Sequence, residues 1–166
     1  MTIHIFTTGG TIDKVYFDAK SEFQVGEPQI SEVLREANVT FDFVVEPLMR
    51  KDSLELTDED RRLIRTAAEA APERHIVVTH GTDTMAQTAR SLMGIPGKVI
   101  VLTGAMQPAR FRFTDAVYNI SAALTAVQLL PEGVYIAMNG RIFDATNVRK
   151  NVGENRFEEV EEIGDS

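Results

Sequence analysis

Five short apolar runs, at residues 3–8, 41–46, 76–79, 99–103 and 134–138, constrain the fold of this chain more than any other feature of it. They are continuous rather than alternating, the pattern of strands covered on both faces, as in a parallel sheet. Helix-like segments lie between them. Thr57 followed by Asp58, Glu59 and Asp60 makes an N-cap and an acidic first turn for a helix reaching about residue 71, where Pro72 follows. Residues 82–93 read as another helix, ended by Gly94, and residues 115–130 as a third, with Pro131 and Gly133 beyond. A weaker one covers 29–37. Strands alternating with helices imply right-handed crossovers. The expected fold is therefore α/β: a doubly wound, mostly parallel sheet with helices on both faces, flavodoxin- or Rossmann-like. Residues 17–28 are polar and poorly periodic, and read as a long loop placed as a lid.

At 166 residues the chain is most simply one domain, able to bury roughly 70% of its unfolded surface. The expected division is a domain over residues 1–157 and a solvated acidic tail over 158–166, with no second domain after it. No run approaches the ~18 apolar residues of a membrane span, and no secretory signal is visible, so the expected location is cytoplasmic. The chain has no cysteine, which excludes disulfides and thiolate metal sites. Its net charge of −8 provides no basic stripe for nucleic acid.

The chemistry lies where strands end. The first run passes into Thr7-Thr8-Gly9-Gly10-Thr11-Ile12-Asp13, a strand followed by two glycines and a hydroxyl. Such glycines allow a tight turn and close approach of a substrate to the backbone, at the edge where open α/β sheets bind ligands. The run at 76–79 passes into His80-Gly81-Thr82-Asp83-Thr84-Met85. A helix starting there would offer free backbone N–H groups to a developing oxyanion. Neither turn has the spacing of a P-loop or a dinucleotide fingerprint, so nucleotide binding is disfavoured. His4, His75 and His80 are the only histidines, and with no cysteine they leave no expected metal site and no cofactor.

Taken in order, Thr8-Gly9-Gly10-Thr11-Ile12, His80-Gly81-Thr82-Asp83-Thr84-Met85 and Gly104-Ala105-Met106-Gln107-Pro108 resemble the signatures of the bacterial L-asparaginase family. Tyr118-Asn119 and Met138-Asn139-Gly140 fit as well, so the resemblance covers nearly the whole chain and points to that family's N-terminal domain. It implies a small-molecule amidohydrolase that converts L-asparagine to L-aspartate and ammonia through an acyl-enzyme. The nucleophile matches Thr11, the second threonine and the aspartate match Thr82 and Asp83, and the lysine matches Lys150. Ser53 resembles the serine that binds the substrate α-carboxylate, and Gly10, Gly81, Thr82 and Asp83 would line the substrate beside it. A lysine accepts a proton only when neutral, and a carboxylate beside it favours the ammonium. Lys150 is therefore either a base freed by burial or a fixed charge.

Two departures accompany the resemblance. The family's loop tyrosine aligns with Phe23, which has no hydroxyl, and Tyr16 is the expected substitute. Family members are also longer, with a smaller C-terminal domain that helps hold the substrate α-ammonium. In this short version Asp83 would hold that group, alone or with an acidic side chain of the Glu158–Glu162 cluster or of a partner chain. A homo-oligomer is expected, because apolar surface that a second domain would cover needs another partner. The alternatives are a glutaminase, an ammonia-supplying amidotransferase subunit, or a non-catalytic module that binds asparagine or aspartate.

Overall fold

A computed structural model describes residues 1–17 and 22–161, with the side chains of residues 16 and 17 outside the description. The first half of the chain forms β1 (Thr2–Gly9), β2 (Lys14–Phe17), β3 (Glu22–Val25), α1 (Ile30–Glu36), β4 (Asp42–Lys51) and α2 (Asp58–Ala70). The second half forms β5 (His75–Thr79), α3 (Met85–Ser91), β6 (Val99–Thr103), α4 (Ala116–Leu129), β7 (Gly133–Met138), β8 (Arg141–Asp144), β9 (Arg149–Asn151) and β10 (Arg156–Glu158). Single 3₁₀ turns at Thr11–Asp13 and Ser53–Glu55 follow β1 and β4.

The central sheet has the order β4-β1-β5-β6-β7-β8. Its first five strands are parallel and β8 alone is antiparallel. The five continuous apolar runs fall in these parallel strands; in β1, β5, β6 and β7 continuity goes with burial on both faces, whereas the edge strand β4 has no fully buried residue. Phe6, Ile76, Val78, Ile100, Leu102 and Ile136 face α2 and α3, packing on Ile64, Ala68, Met85 and Leu92. Ile3, Ile5, Val77, Val99 and Val101 face the other way, onto Leu34 of α1 and Ile120, Ala123 and Val127 of α4. The doubly wound, mostly parallel expectation holds.

α2 begins as its sequence predicts. The Thr57 hydroxyl accepts the Asp60 N–H at 3.2 Å and the Asp60 carboxylate accepts the Thr57 N–H at 2.9 Å, a reciprocal capping box. Asp60 also takes the Lys51 ammonium at 2.8 Å, which ties the end of β4 to this helix.

Three local expectations are corrected. α3 starts at Met85, so Thr82 and Asp83 lie in the turn before it rather than in its first turn. The stretch read as a loop over 17–28 contains β3, which pairs antiparallel with β2 in a hairpin. The acidic run read as a solvated tail begins inside the structure: Glu158 closes β10, and the Val160 and Glu161 N–H groups both donate to Asn147 Oδ1 at 2.9 Å. Residues 162–166 lie outside the described residues.

Candidate active site

The strand order fixes where a ligand can bind. From β1 the chain moves to β4 on one side, then crosses β1 to reach β5 on the other. The sheet order reverses between β1 and β5, and the crevice at the carboxyl ends of strands at such a reversal is the usual ligand site of open α/β sheets. Thr11 follows β1 and Thr82-Asp83 follows β5, so both hydroxyl-bearing turns open onto this crevice.

Glycines let the turns meet. The Gly10 N–H donates to the Lys51 carbonyl at 2.9 Å, which ties the β1 turn to the end of β4. Gly10 holds φ at 88°, a left-handed value that a side chain would resist. A Cβ added to Gly81 would lie 2.6 Å from Ser53 Cβ and 2.7 Å from Ser53 Oγ. Gly81 therefore brings Ser53 against the β5 turn. Thr11 sits at the start of its 3₁₀ turn, half-buried, and among the described residues its hydroxyl has no hydrogen-bond partner.

Lys150 joins the second turn from the far end of the chain. Its Nζ donates to Thr82 Oγ1 and to Asp83 Oδ1, each at 2.8 Å. Thr82 is 7% exposed, whereas the Asp83 side chain is 39% exposed. Because Thr82 Oγ1 accepts from Lys150, its own proton is free to point into the crevice. Ser53 is buried, and its Oγ accepts the Asp83 N–H at 3.2 Å while its carbonyl accepts the Thr84 hydroxyl at 2.8 Å. The expectation of a free Asp83 N–H for an oxyanion is thus corrected, since Ser53 occupies it. The Ser53 hydroxyl proton is left to donate to a carboxylate.

The structure therefore brings together Ser53, Gly81, Thr82, Asp83 and Lys150, with Gly10 and hence Thr11 against Gly81. Tyr16 lies in β2 opposite Phe23 of β3 in register, but its side chain is outside the described residues. Phe23 packs edge-on to Phe111 at 5.5 Å between centroids. Over its described part the acidic cluster has two carboxylates in ion pairs, while the Glu161 side chain is exposed. Glu158 binds Arg149 at 2.8 Å and Glu159 binds Arg141 at 3.0 Å.

Several residues organise the site from behind it, and of these Arg61, Thr88 and Asp115 carry no sign of it in sequence. His80 is fully buried behind the second turn. Arg61 Nε donates to Thr88 Oγ1 at 3.2 Å, the Thr88 hydroxyl donates to His80 Nε2 at 2.8 Å, and His80 Nδ1 donates to the Gly81 carbonyl at 2.6 Å. Each donor in this chain fixes the next, so His80 is held neutral in one tautomer. Burial, with the Arg61 charge, pushes its imidazole down to about 4, against the Gly81 carbonyl. Asp115 turns its carboxylate back to the Met106 and Gln107 N–H groups at 2.9 and 3.0 Å, and Asn119 Nδ2 donates to the Gly104 carbonyl at 2.9 Å. Asn139 Oδ1 accepts the Phe157 N–H at 2.7 Å, and Phe157 is the cross-strand partner of Lys150.

Among the described residues no group of three or more His, Cys, Asp and Glu side chains is placed to hold a metal ion. No helix among them is long and apolar enough to cross a membrane.

Residues 2–162 match the family model described as asparaginase, N-terminal. The chain is 31% identical to an L-asparaginase of Thermococcus kodakarensis, over 96% of this chain and 51% of that protein. The solved structure of the thermostable L-asparaginase from that organism superposes with a TM-score of 0.84, covering 96% of this chain and 51% of that one. A glutaminase-asparaginase of Acinetobacter glutaminasificans is 29% identical over 89% of this chain and 49% of its own length. One of the glutamyl-tRNA(Gln) amidotransferase subunits of Aeropyrum pernix is 30% identical over 86% of this chain and 36% of its own length. The chain thus spans about half the length of the first two relatives and about a third of the last.

Proposed function

The chain belongs to the asparaginase N-terminal domain family, and from that premise we propose that it hydrolyses L-asparagine to L-aspartate and ammonia with Thr11 as nucleophile. Thr11 Oγ1 bonds to the side-chain amide carbon, the C–N bond breaks, and the departing nitrogen takes a proton to leave as ammonia. Water then attacks the ester, releasing aspartate and restoring the Thr11 hydroxyl. Thr82, polarised by Lys150, supplies and recovers protons at the scissile group, and the Lys150 charge steadies the oxyanion. The Ser53 hydroxyl holds the substrate α-carboxylate and Asp83 holds its α-ammonium. Tyr16, opposite Phe23 in the hairpin, is the phenol that assists Thr11, and Tyr16→Phe is expected to lower kcat.

What carries this reading is Lys150, whose Nζ reaches Thr82 and Asp83 together at 2.8 Å across 68 residues of chain. A lone surface lysine has no reason to be held there, whereas an amide-hydrolysing site has two. The deciding assay is ammonia release from asparagine and from glutamine by the wild type and Thr11→Ala. Loss of release on substitution is expected, and release that survives it removes Thr11 from the mechanism.

A second reading, glutamine hydrolysis or ammonia supply to a transamidation partner, is favoured by the glutaminase-asparaginase and amidotransferase relatives. One methylene separates the two amides by only about 1–3 kcal/mol of discrimination, so the glutamine arm of the assay decides. The working unit is taken to be a homo-oligomer, supported by Leu129, Tyr118 and Val117 of α4, which are 80%, 66% and 52% exposed. Sedimentation as a monomer at micromolar concentration rejects that.

A further inference from the structure

Asp13 stands two residues after Thr11, is 3% exposed, and has no part in the amide chemistry above. Its groups reach in three directions. Its N–H donates to the Gly10 carbonyl at 3.1 Å, closing the turn that carries Thr11. Its carbonyl accepts the Gly26 N–H at 2.8 Å, just past the end of the β2–β3 hairpin. Its carboxylate Oδ1 accepts the Gln29 N–H at 2.9 Å, at the start of α1. Ile12 adds a fourth tie, its carbonyl accepting the Ala109 N–H at 3.0 Å.

The turn needs such a holder. Gly9 and Gly10 have no side chains to anchor it from before, and the Thr11 hydroxyl has no partner among the described residues. Asp13 is the first polar side chain after Thr11 to bind another segment.

We propose that Asp13 is a positioning residue for Thr11: its buried carboxyl clasps the nucleophile turn to the start of α1 and so sets where the Thr11 hydroxyl points. The catalytic half of this rests on Thr11 being the nucleophile. Burial pushes the Asp13 carboxyl up to about 7, against the Gln29 N–H and the Arg50 charge, which pull it down. The charged groups on the surrounding elements are themselves engaged. Arg50 of β4 is paired with Glu27 at 2.5 Å, Lys14 of β2 with Asp52 at 3.3 Å, and Arg110 Nε donates to Gln29 Oε1 at 3.1 Å. Glu32, in the first turn of α1, adds negative charge on that side. Because the buried site favours the protonated carboxyl, ionisation of Asp13 loosens the clasp as pH rises through neutrality.

The test measures kcat and KM between about pH 5.5 and 8.5 for the wild type, Asp13→Asn and Asp13→Ala, with the Gln29 backbone amide followed by NMR over the same range. In the wild type kcat falls several-fold as pH rises through about 7 with KM little changed, and the Gln29 amide shift titrates with the same midpoint. Asp13→Asn keeps the shape and the acceptor but cannot ionise, so it keeps kcat within about threefold of the wild type at pH ~6 and loses both inflections. Asp13→Ala loses about 10–100-fold in kcat, the scale of a misaimed nucleophile. An inflection that survives in Asp13→Asn overturns the proposal, as does wild-type kcat in Asp13→Ala. If the wild type releases ammonia from neither amide, the hydrolase reading fails, and the Gln29 titration decides the clasp. A Gln29 amide that titrates in the wild type and not in Asp13→Asn supports it, and one that does not titrate in the wild type rejects it.

Discussion

Gly10 and Gly81 meet backbone to backbone: a Cβ placed on Gly10 would stand 2.5 Å from both the Cα and the N of Gly81. Two loops from neighbouring parallel strands are thus held together with no side chain between them. Gly81 presses in turn on Ser53, so the turns after β1, β5 and β4 form a stack whose spacing is set by missing side chains.

Adding one methyl to that stack has a calculable result. Gly81→Ala must displace Ser53 or the Gly10 turn, and overpacking of this kind costs about 1–3 kcal/mol of stability. The displacement also moves Thr82 relative to Thr11, so under the proposed hydrolysis kcat/KM for asparagine is expected to fall about 100-fold. Ammonia release and thermal unfolding of the same variant measure both effects. Full turnover in Gly81→Ala would show that the stack does not aim the nucleophile.

Lys150 donates to Thr82, and under the proposed mechanism their variants are expected to behave as one unit. Lys150→Met and Thr82→Val should each lower kcat by roughly 10²–10³-fold. The double variant should lose little more than either single one, because groups in one chain of hydrogen bonds are not additive. Losses that multiply would mean that the two side chains serve separate steps.

Asn139 reaches the site through the fold. It has φ of 53°, which asparagine tolerates better than most residues, and with Gly140 at 74° it makes the two-residue reversal from β7 to β8. Its Oδ1 also anchors Phe157 beside Lys150. Asn139→Ala should cost about 1–3 kcal/mol and lower kcat, since Phe157 N–H loses its partner. Asn139→Asp keeps the acceptor and should recover most of both. Equal loss in the two variants would refute a role for the acceptor.

Asp13 and His80 pull the pH dependence of stability in opposite directions. The Asp13 carboxyl is raised from 3.8 to about 7. The stability this contributes is present below about pH 4 and is lost as pH rises to about 7. The His80 imidazole is lowered from 6.5 to about 4. Its unfolded form takes the proton first, so stability is lost as pH falls from about 6.5 to 4. Each is worth about 3–4 kcal/mol across its window, and the two largely offset each other between about pH 4 and 6.5. Denaturant unfolding of Asp13→Asn and His80→Asn against the wild type should show differences of opposite slope across that window. Parallel slopes would contradict both assignments.

The inner parallel strands were legible because burial on both faces leaves continuous apolar runs, and β6 matches its sequence boundaries of Val99–Thr103. α2 was legible for a different reason, since Thr57 and Asp60 satisfy each other within four residues of chain. The β2–β3 hairpin was not, because Glu22, Phe23 and Gln24 are exposed and carry no apolar alternation. β8 had a readable signal in Asn139-Gly140, a dipeptide suited to two successive left-handed residues, which was matched to a family motif instead of a turn. In the site, Thr11, Thr82, Asp83 and Lys150 could be picked out by motif. The hydrogen bonds behind them could not. Thr88 and Arg61 meet His80 only after α2 and α3 have packed side by side, and nothing local to any of the three announces it.

The attachment of Lys150 has a consequence for the life of the molecule. β9 and β10 come after every parallel strand, so a growing chain can lay down its sheet and both hydroxyl turns while the ammonium that completes them is still being synthesised. Architecture precedes competence. On the proposed role of Lys150, nascent and C-terminally clipped chains that keep the sheet would be well formed yet inert. The appearance of turnover would then serve as a natural reporter that synthesis has run through the β9–β10 hairpin.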